Sequence, residues 1–159
     1  MDVRLNLIRL IELSEDKIMS LKAILDFTKK VDLTGDDDLY SEAQNIVEAR
    51  QEQIIKMMDI DNEYLKVFEE TKTYLGIDDI TDIDKIEYPK IVDLYEKTYE
   101  IMSLLEEIKF LDEKNIKSIN KKNSDMNEKI NVNRNVNKIN KSYGNKFAGI
   151  NSYSFDKKK

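Results

Sequence analysis

Two adjacent rows of side chains on one uninterrupted stretch, Leu39 to Leu75, constrain the fold of this chain more than any other feature. Residues three and four apart share a helix face, and both rows follow that spacing. The first row is Leu39, Ala43, Ile46, Arg50, Gln53, Met57, Ile60, Tyr64, Val67, Thr71 and Tyr74. The second row, one position further on, is Tyr40, Val47, Ile54, Met58, Leu65, Phe68 and Leu75. One apolar stripe needs one partner helix, so two adjacent stripes predict a middle helix that packs against two neighbours.

Two further segments carry a helical apolar pattern. The first runs from about Val3 to about Val31, and the third follows Pro89, which suits the first turn of a helix. The first-helix stripe is Leu7, Ile11, Ser14, Ile18, Leu21, Leu25 and Thr28, widened by Leu10, Met19 and Ile24. The third-helix stripe is Ile91, Leu94, Thr98, Ile101, Leu105 and Ile108. Gly35, within the turn Asp32–Asp38, and Gly76, after Leu75, are placed to end the first two helices.

We therefore predict an all-α, elongated, antiparallel three-helix bundle of coiled-coil type with a weakly structured C-terminal tail. The expected helices span about 3–31, 38–75 and 89–111, the last extending weakly to about 142. They form a single helical domain over 1–143, followed by a disordered tail over 144–159. One Pro and four Gly in 159 residues agree with a chain of few turns.

The composition argues against catalysis and against a bound cofactor or metal. The chain has no Cys and no His, which removes thiolate chemistry, the commonest general base and the commonest metal ligand. The acidic runs Asp36–Asp38 and Asp78–Asp84 lack the alternation of a calcium-binding loop, so we interpret them as helix caps and solvated turns. We expect no enzyme, no cofactor and no metal.

Charge is distributed unevenly along the chain. Residues 1–113 hold fourteen basic and twenty-nine acidic residues, a balance of −15, whereas residues 114–159 hold twelve basic and three acidic residues, a balance of +9. The lysines of this basic third are spread among asparagines and the acidic part repels polyanions, so we expect no nucleic-acid binding. The sequence also lacks a long apolar run and a signal-peptide pattern, which predicts a cytoplasmic protein without membrane insertion.

Polar and aromatic residues inside the rows leave alternatives open. Arg50 and Gln53 occupy contact positions of the middle helix; either Val47 and Ile54 take over the contact locally, or the polar pair fixes register or partner choice. The first of these is favoured. The tyrosines are interpreted as the edge of the helix contacts and not as a ligand cage; they are Tyr64, Tyr74, Tyr95 and Tyr99.

The segment from Ile116 to Tyr143 keeps a helical period but carries little apolar area. Such a helix is marginal by itself. It is either a fraying helix end with a low-complexity tail, or a helix that becomes buried only on a partner, as in helix-in-groove recognition.

Three features of the layout stand out: the Gly35-Asp36 turn, the segment Arg50-Gln51-Glu52-Gln53-Ile54-Ile55 in a long second helix, and a third helix that decays into a polar tail. With these features the chain resembles flagellar type III export chaperones of the FlgN/FliT kind. The terminus Tyr153–Lys159 is similar to the ends of such proteins from low-GC Gram-positive bacteria.

The resemblance implies a cytosolic helical chaperone that binds flagellar axial proteins, of the hook–filament junction or the filament cap, and delivers them to the export apparatus. In that family the C-terminal helical region engages the substrate. Carried over to this sequence, the partner-binding residues are Ile116, Ile119, Met126, Ile130, Val136, Ile139 and Tyr143. The alternative is a structural coiled-coil protein that self-associates without a client, and a homodimer is compatible with either interpretation.

Overall fold

Three α-helices make up nearly all of the described chain. The computed structural model describes residues 1–33 and 40–142, with side chains placed for 1–31 and 42–138. The helices are α1 (Val3–Leu33), α2 (Tyr40–Leu75) and α3 (Lys90–Ser142), with a short 3-10 helix at Ile80–Asp82. No strand occurs among these residues, and the predicted all-α bundle class is confirmed. The predicted turn at Asp32–Asp38, apart from its first two residues, and the predicted tail at 144–159 lie outside the described residues.

Hydrogen bonds and ion pairs between side chains show the relative directions of the three helices. Along α1 and α2 the paired numbers run in opposite directions, so these helices are antiparallel. Their contacts are Asn6 with Thr71, Arg9 with Glu63 and Lys17 with Asp61. Along α1 and α3 the numbers rise together, so these helices are parallel. Their ion pairs are Glu15 with Lys97, Lys22 with Glu100 and Lys29 with Glu107.

The most buried helix is α1, not α2. Most of the buried apolar side chains belong to α1, and Ile60 is the buried apolar residue of α2 among those whose side chains are described. The buried set on α1 is Val3, Leu7, Leu10, Leu13, Ile18, Leu21, Ile24 and Leu25. Helix α2 nevertheless contacts both neighbours, as predicted, because Arg9 of α1 donates to Glu63 and Arg50 donates to Asp112 of α3. Helix α1 has leucine or isoleucine on almost every turn and packs against α2 and α3 on different sides. The first row of α2, by contrast, includes the polar residues Arg50 and Gln53.

The two rows of α2 have different environments. Where its side chains are described, the first row is buried or half-buried from Ala43 to Thr71, as predicted, and only Tyr74 is exposed. The second row packs at Ile54, Phe68 and Leu75, but Val47, Met58 and Leu65 are more than half exposed. The prediction that both rows are covered is wrong for these three residues, because the bundle supplies neighbours for little more than one stripe.

The ends of α2 and α3 follow the predicted local chemistry. Gly76 has a positive φ of 65°, and the N–H groups of Gly76 and Ile77 donate to the carbonyls of Thr73 and Lys72, the two bonds of a Schellman cap. Pro89 directly precedes α3. Between them Ile83 is buried against Val3, Leu7, Leu10, Ile91 and Leu94, a contact that anchors the acidic connection to the core.

Contacts divide the chain into two units, residues 1–113 and 114–159. The boundary falls inside α3, two residues beyond Leu111, where the apolar pattern of the sequence begins to thin. The predicted domain end at residue 143 lies just beyond the described residues. None of the described helices is long and apolar enough to cross a membrane.

Candidate partner-binding surfaces

The predicted partner-binding residues lie in the second unit, on the C-terminal half of α3. Ile116, Ile119, Met126 and Val136 are exposed, and Ile130 is half-buried. For Ile139 the structure describes the helical backbone but not the side chain. Tyr143 lies outside the described residues. The apolar side chains that are described in this segment are thus largely accessible.

These residues do not share one face of the helix. An α-helix turns by about 100° per residue, so Ile116, Ile119, Met126 and Ile130 fall within an arc of about 80°. We call these four residues the distal row. Val136 is six residues after Ile130 and lies about 120° away from it around the helix. Val136 and its exposed neighbour Val132 therefore face a different direction from the distal row.

Asparagine dominates the rest of this helical segment. Nine of the residues from 114 to 142 are Asn, and none is Ala or Leu. Asn is among the weaker helix formers because its side chain competes for backbone hydrogen bonds. The segment also carries eight basic residues against two acidic ones. It is a basic helix with an apolar face and low intrinsic helix propensity.

A second apolar surface, absent from the sequence-based prediction, lies within the first unit. A groove of about 530 Å³ opens between α2 and α3. We call it the tyrosine groove; it is lined by Tyr64, Phe68, Ile80, Thr81, Lys85, Leu94, Tyr95, Thr98, Tyr99 and Met102. Three of the four tyrosines assigned to helix edges therefore line one cavity, whereas Tyr74 does not. The spacing of the tyrosines in the sequence predicts which helix face they occupy. The groove itself arises because α2 and α3 stand apart at this point.

Aromatic contacts hold the walls of the tyrosine groove. The rings of Tyr64 and Phe68 stack with centroids 5.8 Å apart. The Lys72 ammonium lies 4.9 Å from the Phe68 centroid and the Lys85 ammonium lies 5.7 Å from that of Tyr95, both cation–π distances. The Tyr95 hydroxyl donates to the Ile80 carbonyl at 3.0 Å.

The pKa shifts of two groove tyrosines keep their phenols neutral beside the Lys85 ammonium. Burial raises the pKa of Tyr64. Burial also raises the pKa of Tyr95, and the negative charges of Asp79 and Asp82 raise that pKa further. Both phenols are therefore held protonated, so the groove offers hydroxyl groups and ring faces and no reactive anion.

Arg50 forms an ion pair across α2 and α3. Its Nη2 donates to both carboxylate oxygens of Asp112, at 3.0 and 2.7 Å, while its buried Nε makes no hydrogen bond within the described structure. Val47 is exposed and does not replace Arg50 in the contact, although Ile54 does pack inward. The favoured interpretation, a local handover to both neighbours, is wrong at Val47. The alternative, in which Arg50 and Gln53 fix register or partner choice, stays a prediction; the structure pairs Arg50 with Asp112.

Two aspartates of the acidic connection between α2 and α3 stabilise local structure, Asp79 as the N-cap of the 3-10 helix and Asp84 in the turn that follows. The Asp79 carboxylate accepts from the Thr81 N–H at 2.9 Å, and this bond lowers the pKa of Asp79. Asp84 accepts in the same way from the Ile86 N–H at 2.8 Å. Within residues 1–33 and 40–142, no group of three or more carboxylates is arranged to hold a metal ion.

Comparisons with protein-family models, with curated proteins and with solved structures find no match to this chain.

Proposed function

We propose that this chain is a non-catalytic, cytoplasmic chaperone that binds amphipathic helices, of the kind that escorts flagellar hook-associated or filament-cap subunits to the export apparatus. The client helix packs against the distal row on α3. The observation that carries the proposal is the exposure of Ile116, Ile119 and Met126 on one face of a helix that belongs to a unit separate from the main core.

The spacing of the distal row supports a helical client. Four apolar side chains at i, i+3, i+10 and i+14 cover about four turns, or about 21 Å, on one side of the helix. An amphipathic partner helix presents anchors with the same three- and four-residue steps, so its apolar face matches this row. An extended peptide presents side chains with a period of two and fits the row poorly.

The positive charge of the segment favours a client helix that carries acidic residues. Residues 114–142 carry eight basic and two acidic residues, whereas residues 1–113 are acidic. A client helix with carboxylates beside its apolar stripe gains attraction at this segment, and charge pairs at the rim of an interface raise the association rate and restrict partner choice. Low intrinsic helix propensity lets the segment remain adaptable before binding, at a cost in ordering when the client arrives.

The distal row can be tested directly by binding measurements. The probes are peptides that correspond to the terminal helices of hook-associated and cap subunits from the same bacterium, titrated calorimetrically into the full chain. Replacing Ile116, Ile119, Met126 and Ile130 with Gln keeps good helix formers but removes the apolar face. We expect this variant to bind at least about tenfold more weakly, which corresponds to about 1.4 kcal/mol.

A matched control changes the other side of the same helix. Val132→Gln with Val136→Gln alters exposed apolar residues outside the distal row, and we expect it to bind as the original chain does. Equal loss in both variants would contradict a role for the distal row. Truncation after Glu113 should abolish binding and leave a cooperative unfolding transition; if cooperativity were lost, the segment would be part of the core and the proposal would fail.

A further inference from the structure

One face of α2, which includes the exposed residues Val47, Met58 and Leu65, has a two-fold symmetric spacing. Val47, Gln51, Ile54, Met58, Asp61 and Leu65 follow steps of 4, 3, 4, 3 and 4 and therefore share one helix face over 19 residues, a rise of about 27 Å. Positions 47 and 65, 51 and 61, and 54 and 58 are each equidistant from position 56. A helix with this order of side chains presents the same surface to a second copy turned end for end.

We propose that two copies of this chain pair antiparallel through this row of α2. Val47 then faces Leu65 of the other copy, Ile54 faces Met58, and Gln51 faces Asp61, with each contact repeated by the symmetry. The interface is isologous, because the same patch serves on both subunits. This inference does not depend on the proposed chaperone function, since it concerns residues of the first unit and no client.

The polar positions of the row select the antiparallel orientation. In this arrangement the Gln51 amide donates to the Asp61 carboxylate of the other copy, so a donor meets an acceptor. A parallel pair places Asp61 against its own counterpart, and two like charges in direct contact repel each other. Asp61 is already paired with Lys17 at 2.6 Å, which lowers the cost of bringing its carboxylate into an interface.

The second copy covers apolar side chains that are exposed in the single chain. Val47 is 54% exposed, and Met58 and Leu65 are each 58% exposed. Ile54 is half-buried, packing against the core on one side and leaving its other side available to Met58 of the second copy. Side chains at alternating three- and four-residue steps interlock with an identical set, as in coiled coils. A second α2 therefore covers the apolar side chains that α1 and α3 leave exposed on this helix.

The oligomeric state of the full chain tests this pairing. Sedimentation velocity and light scattering from low micromolar to near-millimolar concentration should show reversible dimer formation. Met58→Lys places a charge opposite Ile54 twice in the interface and should raise the dissociation constant at least about tenfold. Met19→Lys is the matched control, because Met19 is an exposed methionine on α1 outside the row; it should leave the dissociation constant unchanged.

Engineered cysteines test the orientation, since the chain has none of its own. A mixture of Val47→Cys and Leu65→Cys chains should form a mixed disulfide on mild oxidation, because these positions face each other. Each variant alone should not crosslink, because its own two copies are about 27 Å apart along the helix, far beyond disulfide reach. Crosslinking of Val47→Cys chains alone would establish a parallel pair and overturn the proposal.

Salt separates this interface from one in which the basic segment of one copy binds the acidic part of another. Pairing of two acidic units should strengthen between about 50 mM and about 500 mM salt, because screening reduces their repulsion. Dimerisation that weakens over this range, or a monomer at every concentration, contradicts the proposal. If Met58→Lys instead removes binding of a client helix by a monomeric chain, the row belongs to the client.

Discussion

Breaking the ion pair between Arg50 and Asp112 should destabilise the fold by more than an ordinary surface pair does. Asp112→Ala leaves a guanidinium whose side chain is only 26% exposed without its carboxylate, and its buried Nε has no other partner. Exposed pairs contribute about 0.2–1 kcal/mol, whereas removing one partner of a fully buried pair costs about 3–5 kcal/mol. With both groups about a quarter to two-fifths exposed, we expect about 1–2 kcal/mol.

Urea unfolding of the full chain measures this cost. Tyrosine fluorescence is a suitable signal because six of the eight tyrosines lie within residues 1–113. At a slope of about 1–3 kcal/mol per molar urea, a loss of about 1.5 kcal/mol lowers the midpoint by roughly 0.5–1.5 M. Arg50→Met should cost less than Asp112→Ala, because the charge left unpaired is then the Asp112 carboxylate, which is more exposed (38%) than the Arg50 side chain (26%). The double variant should cost less than the sum of the two single variants.

Glu107→Ala provides the control for this cycle. Its partner Lys29 is 3.6 Å away and both side chains are half exposed, so the change should cost less than about 0.5 kcal/mol. The reasoning is refuted if Asp112→Ala costs no more than Glu107→Ala, or if the coupling energy between Arg50 and Asp112 is below about 0.3 kcal/mol. In either case Arg50 would be solvated in the free chain, and its contact with Asp112 would contribute nothing to holding α3 against α2.

Three further changes test other parts of the fold. Leu10→Ala, at a fully buried position, should lower the free energy of unfolding by about 2–5 kcal/mol, whereas Leu5→Ala on the exposed side of α1 should change it by less than about 0.5 kcal/mol; equal effects would contradict the assigned core. Gly76→Ala should cost about 1 kcal/mol through the positive φ alone, since an added Cβ meets no atom within 4 Å, and urea unfolding would show this. The lowered pKa of Asp79 means that its carboxylate stabilises the fold above the ordinary aspartate pKa and that this contribution disappears as the pH falls through the folded-state value. The melting temperature of Asp79→Asn should therefore fall less between pH 5 and pH 2 than that of the original chain, and parallel curves would exclude this contribution.

The sequence predicts which residues share a helix face better than it predicts what covers that face. The α1 stripe and the first row of α2 are correct because the three- and four-residue period is a property of each helix alone. At Met19, and at Val47, Met58 and Leu65, the apolar pattern continues but no neighbour lies over it. Which side chains are covered depends on where α3 packs, and that position is set by long-range packing such as the cluster that joins Leu10, Ile83 and Ile91.

The candidate surfaces illustrate the same limit. The distal row could be identified from spacing, because a regular helix fixes the directions of Ile116 and Ile130 relative to each other. Because α3 continues as one helix through residue 142, the same spacing places Val136 outside that row. The tyrosine groove could not be anticipated, because it requires Tyr64 and Tyr95, on different helices, to stand apart from each other around an open space.

The continuity of α3 across the boundary at residue 113 has an energetic consequence for the distal segment. Starting a helix in water carries a nucleation factor of about 10⁻³, equivalent to roughly 4 kcal/mol, whereas lengthening an existing helix carries no such penalty. Residues 90–113 are held in place by the core through Ile91, Leu94 and Ile108, so they serve as a permanent nucleus. The asparagine-rich half of α3 can therefore lengthen turn by turn from an anchored end, and a peptide of residues 114–142 alone should be much less helical than the same residues in the intact chain.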